Sequence, residues 1–247
     1  MKISLLAAAV WMLGFSQLHA AELQVIAGGG IAGPMRELAP SFERATGHKV
    51  VVRFATTPEL VKMATSGDTG DVAVVPSEFY NDAAARAKYM AAPTVDIARV
   101  GLGIAVRAGA PKPEISTPDQ LKQALLDAKS IATVPASAAG AQVQKVFDQL
   151  GIGDAMKARQ KAQPGPAQLV QAVANGDAEL GVFLSNVLLA PGIDLVGPFP
   201  KEVQLEILYK AGVASGSAQA DAANAFIKFL TSPDAVAVIR AKGMAPG

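Results

Sequence analysis

"LQVIAGGGIAGPMRELAPSFERATGHKVVVRFATTPEL", residues 23–60, reads as a strand, a glycine turn, a helix, a second strand and the start of a second helix. Leu23 to Gly29 is a short apolar run closed by glycine. From Pro34 to Thr46 the apolar residues Met35, Leu38, Ala39 and Phe42 recur at helical spacing, and Gly47 supplies a C-terminal stop. Lys49 to Ala55 is a continuous apolar run of the kind that a strand buried in a parallel sheet requires. Next, Thr57 reads as an N-cap with Pro58 behind it, and "DVAVVP" (Asp71 to Pro76) as a third strand. Strands and helices alternating in this order predict a parallel, doubly wound α/β unit.

A second unit of the same kind follows. Ala98 to Arg107 and Val203 to Ala214 read as long strands. Between them lie a helix opened by a Thr117–Gln120 capping box, a strand at 129–135, a helix over Ala139 to Leu150, a helix at 166–176, and strands at 178–184 and 193–200. Two helices end the chain, Ala218 to Leu230 and Pro233 to Lys242, the latter capped by Ser232. The expected fold is α/β: two doubly wound lobes joined by two crossover strands. Residues 21–100 and 212–247 are expected to form the first lobe and residues 101–211 the second, with the last helices returning to the first.

The N-terminus bears on location. Lys2 precedes an apolar run, Ile3 to Phe15, that is too short to span a bilayer, and "SQLHA" then leads to Ala20. Residues 1–20 read as a secretory signal peptide, with cleavage after Ala21 as the alternative, and the mature chain is expected in the periplasm. There is no cysteine, so export proceeds without a disulfide or a lipid-modifiable thiol. A net charge of +1, 5% aromatics and no run of basic residues argue against nucleic acid and an anionic membrane as partners. A soluble monomer is expected.

Gly28, Gly30 and Gly33 have the G-x-G-x-x-G spacing of dinucleotide-binding turns. Such a fold needs an acidic residue about twenty positions on, at the end of the second strand, for the ribose. Arg53, Thr56 and Thr57 stand there instead, and Glu59 lies past Pro58 in the next helix. What survives of the motif is its electrostatics: a glycine turn opening a helix presents backbone N–H groups at the positive end of the helix dipole, an anion site. Two more strand ends have this form, Thr56–Thr57 and Ser137–Gly140. The usual role of hydroxyls there is capping. Three such ends together, where open α/β sheets bind ligands, suggest a shared site.

Catalytic alternatives are few. His48 is the only histidine of the mature chain, and it sits in a helix-to-strand turn away from those strand ends. Neither a Ser-His-Asp triad nor a Cys/His metal site has its components, so no cofactor or metal is expected. Asp68, Asp71, Asp177 and Glu179 read as solvated loop carboxylates. Proton transfer by a single Tyr, Lys or carboxylate remains open.

The order "LQVIAGGGIAGPMRELAPSFERATGHKVVVRFATTPEL…GDVAVVP", continued by "PASAAGAQVQKVFDQLG" and "AELGVFLSN", resembles the molybdate-binding proteins of ABC importers within the type II periplasmic binding proteins. The resemblance covers essentially the whole mature chain and implies two α/β lobes closing on a small anion, with an ABC permease as a possible partner. The family's first-turn serine falls on Gly30, its second hydroxyl on Thr56 or Thr57, its backbone donor near Ala139 and a tyrosine on Leu184. Two oxyanion donors are therefore missing, which implies a larger or differently shaped ligand, such as an organic carboxylate. The family also includes a periplasmic isomerase acting on aconitate, a tricarboxylate, and "AGGG", Leu184 and "VGPFPKEVQ" resemble that branch. The expected function is capture of a small anion, with cofactor-independent aconitate isomerisation as the alternative. The expected site is Gly29, Gly30, Thr56, Thr57, Ser77, Ser137, Ala139, Leu184 and Asn186.

Overall fold

The computed structural model describes residues 20–89 and 93–247; apart from Ala20, the expected leader lies outside them. The opening stretch forms β1 (Glu22–Gly28), a single 3-10 turn (Gly29–Ile31), α1 (Ala32–Thr46), β2 (Lys49–Ala55), α2 (Thr57–Thr65) and β3 (Val72–Pro76). β1 lies between β2 and β3 and runs parallel to both, with Gly28 opposite Ala55 and Val25 opposite Val72. The strands alternate between two cores, as the pleat dictates. Leu23, Val25, Ala27, Val72 and Val74 share one core with Met35, Leu38 and Phe42 of α1. Ile26, Ala73 and Val75 share the other with Leu60 and Ala64 of α2 and with Phe79 and Tyr89. That is the doubly wound arrangement.

After a short helix α3 (Ala83–Ala87), β4 (Val95–Arg107) carries the chain from one half of the sheet to the other. Its first part, Val95 to Gly101, pairs antiparallel with β9 (Glu206–Val213), and β9 in turn pairs with β3. From Leu102 to Arg107 it pairs instead with β7 (Leu180–Leu184) and β8 (Ile193–Pro198). At the change of partners the Gln204 side chain stands in for a strand. Its Oε1 accepts the Leu102 N–H at 2.7 Å, and its Nε2 donates to the Leu102 carbonyl at 3.0 Å. No backbone hydrogen bond of Leu102 is left open where the ladder breaks.

The second half repeats the logic. α4 (Pro118–Asp127), β5 (Ile131–Thr133), α5 (Ala138–Gln149), α6 (Gly153–Lys157), β6 (Gln160–Ala162) and α7 (Pro166–Ala174) lead to β7, with β5 parallel to both β6 and β7. The strand order is β2-β1-β3-β9-β4-β7-β5-β6, and β8 and β10 (Ala245–Pro246) pair with β4. α8 (Ala220–Leu230) and α9 (Pro233–Ala241) return to α1: Phe226 meets Phe42 edge to face at 5.0 Å, and Lys242 reaches Glu37 at 2.9 Å. Among the described residues, no single helix is long and apolar enough to cross a membrane.

Several local expectations are corrected. The N-cap of α2 is Thr56 rather than Thr57, because the Glu59 carboxylate takes both the N–H and the hydroxyl of Thr56, at 2.8 and 2.7 Å. β4 starts at Val95, three positions before the expected Ala98. Asp71 is not a solvated loop carboxylate. It accepts the Gln24 N–H at 2.8 Å and the Ser217 hydroxyl at 2.6 Å, tying β1 to the loop before α8. Asp68 is held by Arg53 through two bonds of 2.6 and 2.7 Å, which lower its pKa, and Glu179 accepts the Lys129 N–H at 2.8 Å. His48 is a turn residue, as read: its Nδ1 accepts the Ala21 N–H at 3.1 Å and its ring stacks on Phe42.

Candidate functional site: a cleft between the two halves of the sheet

The C-terminal ends of β1, β2 and β3 face the starts of α5 and α7 and the end of β7 across a cleft of about 890 Å³. Every residue of the expected site lines it except Ser77, which lies in the turn after β3 with its hydroxyl 3.3 Å from Glu78. The cleft floor is apolar. Leu184 and Phe183 end β7, Pro76 ends β3, and Tyr209 comes in from β9, where it pairs with Pro76. The rim is charged: Arg36 from α1 with its guanidinium 5.6 Å from the Phe54 ring centroid, Glu59 from α2, and Lys242 beyond α9. Sequence reading missed Tyr209, Arg36, Phe54 and Lys242. Arg36 alone left a local signal, a cation early in the helix that the glycine turn opens. The others are brought in by long-range pairing and packing.

The donors divide into engaged and available groups. The Thr56 hydroxyl donates to Glu59, whose carboxyl is held below its usual range by that hydrogen bond first and by the Thr56 N–H second. Ser137 caps α5: its hydroxyl accepts the Gly140 N–H at 2.9 Å and donates to the Val134 carbonyl at 2.7 Å. These two hydroxyls already have protein partners. Thr57 differs, because its Oγ1 accepts the Ala138 N–H across the cleft at 3.3 Å, which leaves its own hydrogen to donate. In the first turn of α5, the N–H groups of Ala138, Gly140 and Ala141 are all taken, while that of Ala139 has no acceptor among the described residues. The glycine turn has no side-chain cap, and α1 has no acidic residue in its first turn, so the dipole there is not neutralised.

Gly30 is enforced by its neighbours. A Cβ there would stand 2.2 Å from the Tyr209 hydroxyl and 2.4 Å from Leu184 Cδ1. Gly33 has nothing within 4 Å of a Cβ, so the close helix–strand packing that the third glycine of a dinucleotide turn serves is missing. Gly30 is thus set by Tyr209 and Leu184 and Gly28 by Tyr209 and Pro76, not by a pyrophosphate cradle. Asn186, just past β7, donates from Nδ2 to the Gly30 carbonyl at 2.8 Å, while its Oδ1 is buried without a partner. With Gln142 donating to Glu78 at 3.0 Å, three hydrogen bonds among the described residues join the two sides of the cleft.

Two α/β lobes, two connecting strands and a cleft at the strand C-terminal ends, where helix N-termini converge, define the type II periplasmic binding protein fold. The chain belongs to the bacterial extracellular solute-binding protein family, whose model matches residues 23–245. It is similar to an aconitate isomerase of a Pseudomonas species, 34% identical over 257 residues and covering 99% of this chain and 97% of that protein. It is also similar to the molybdate-binding protein ModA of Azotobacter vinelandii, 28% identical over 231 residues, 91% of this chain and 90% of the relative. The solved structure of the Azotobacter vinelandii periplasmic molybdate-binding protein superposes with a TM-score of 0.74 at 22% identity, covering 90% of this chain and 98% of that one.

Proposed function

We propose that this chain is a periplasmic, monomeric solute-binding protein that closes its two lobes, residues 21–100 with 212–247 and residues 101–211, on a small organic carboxylate and delivers it to an ABC permease. The carrying observation is the cleft floor at Gly30. Leu184 and Tyr209 fill the space where a short hydroxyl side chain would stand. A compact tetrahedral oxyanion needs neutral donors on all sides, and here one side is a leucine. A carboxylate on a carbon skeleton suits the same floor: its charged end meets the N–H groups of Gly29, Gly30 and Ala139 and the Thr57 hydroxyl, its skeleton lies on Leu184, and a second carboxylate reaches Arg36 at the rim. The test is a thermal-shift and calorimetry screen of molybdate, tungstate and di- and tricarboxylates on ligand-stripped protein. A true ligand at a hundred times its dissociation constant should stabilise by about 2.7 kcal/mol. The donor missing at Leu184 costs about 1.5–3 kcal/mol toward a charged oxygen, so molybdate should bind weakly. Submicromolar molybdate binding would overturn the carboxylate assignment.

A second reading is favoured by the 34% identity to an aconitate isomerase over nearly the whole chain. On this reading the bound carboxylate is isomerised, one proton moving along an allylic system without metal or cofactor. Incubation with cis- or trans-aconitate, followed by proton NMR, separates the two. Catalytic interconversion supports the isomerase, and stoichiometric binding with the ligand unchanged supports the receptor.

A further inference from the structure

We infer that Tyr209 is the specificity-determining residue of the cleft, its hydroxyl donating a hydrogen bond to a ligand carboxylate above Gly30; this rests on the carboxylate reading above. The side chain is 2% exposed, yet its hydroxyl has no hydrogen-bond partner among the described residues and lies at the cleft surface. With the ring buried and the hydroxyl open to the cleft, the oxygen is free to bond a ligand there without first giving up a protein partner. Its position is set rigidly. The Tyr209 backbone is held by the β9–β3 ladder opposite Pro76, and its ring lies so close to Gly28 that a Cβ there would stand 2.9 Å from Cε1. The hydroxyl stands within 2.2 Å of where a Cβ on residue 30 would be, which makes the phenol the donor at the place where a serine would otherwise act. A phenol on a long ring delivers that donor from the floor rather than from the helix turn, and it leaves the glycine N–H groups open to the same ligand. Burial first, and the nearby Glu78 second, push its pKa up, so at neutral pH it is a donor and not a phenolate.

Calorimetry on the wild type and Tyr209→Phe, with trans-aconitate, citrate, succinate and molybdate as separate probes, tests this. Tyr209→Phe keeps the ring packing and removes one oxygen. The expected result is a loss of about ten- to hundredfold in affinity for whichever carboxylate the wild type binds, with an unchanged melting temperature of the unliganded protein. Unchanged affinity overturns the inference. If the wild type binds molybdate alone, the carboxylate reading falls, and the role of Tyr209 is still decided by the effect of the variant on molybdate. Should Tyr209→Phe fold poorly, isotope labelling of the tyrosine ring carbon bearing the hydroxyl decides the matter in the wild type. The chain has three tyrosines, Tyr80, Tyr89 and Tyr209. Ligand should move the Tyr209 signal and leave the other two in place, and a Tyr209 signal that does not move overturns the inference.

Discussion

At the scale of single residues, Gly30 shows how a small side chain can be dictated from far along the chain. The two groups that exclude a Cβ there come from β7 and β9, more than a hundred and fifty positions later in sequence. Gly30→Ser forces the Tyr209 ring or Leu184 to shift inside a packed floor, and overpacking of this kind costs about 1–3 kcal/mol. The expected outcome is a lower urea midpoint for Gly30→Ser, because the buried Tyr209 ring and Leu184 leave the serine no room. A wild-type midpoint for the single variant would mean that the floor has slack. The serine would also fail to restore tight molybdate binding, since its hydroxyl competes for the space that Tyr209 occupies.

At the scale of elements, the strand-to-helix turns at the cleft combine capping with presentation of N–H groups. α5 shows both functions in one turn. Ser137 caps it, Ala139 keeps its N–H unpaired, and Gly140 lets the helix start pass close to the Val134 carbonyl, 2.1 Å from where a Cβ would be. The Ser137 hydroxyl donates to Val134 and accepts from Gly140, so its loss should be felt in stability first. Ser137→Ala is expected to cost about 0.5–2 kcal/mol, the range of a lost N-cap, with ligand affinity within about twofold of wild type. Chemical denaturation and calorimetry on the same preparation check this. A large affinity loss at unchanged stability would place the hydroxyl on the ligand instead.

At the scale of the whole molecule, the two halves of the sheet meet through β4 and β9 and, across the cleft, through three hydrogen bonds between side chain and partner among the described residues. These bonds are few enough to break when the proposed lobes hinge apart, and hinge closure around a ligand is a common response of such folds. Asn186 is the one placed over the glycine turn. Removing its 2.8 Å bond to the Gly30 carbonyl in Asn186→Ala should shift any open–closed balance by about 1 kcal/mol, roughly fivefold, toward the open form. Small-angle scattering of the ligand-free variant is expected to give a larger radius of gyration than wild type. An unchanged radius would show that this bond does not hold the halves together.

Local pattern was enough for most elements, because helices and buried strands announce themselves by periodicity and turn residues over a few positions. Residues 23–76 specified the parallel βαβαβ order, and the capping box at Thr117 and the stop at Gly47 were readable as written. Short pieces such as α3, α6, β6 and β10 escaped, since two to five residues carry no period. The glycine turn and the hydroxyl-bearing strand ends were likewise visible as possible anion sites. What sequence could not decide was which of their donors remain available, because that depends on partners such as Glu59 for Thr56 and Val134 for Ser137. Nor could it show why residue 30 is glycine. Tyr209 reaches Gly30 only because β9 returns antiparallel beside β3, and strand pairing between residues so distant along the chain is a property of the fold and not of any local stretch.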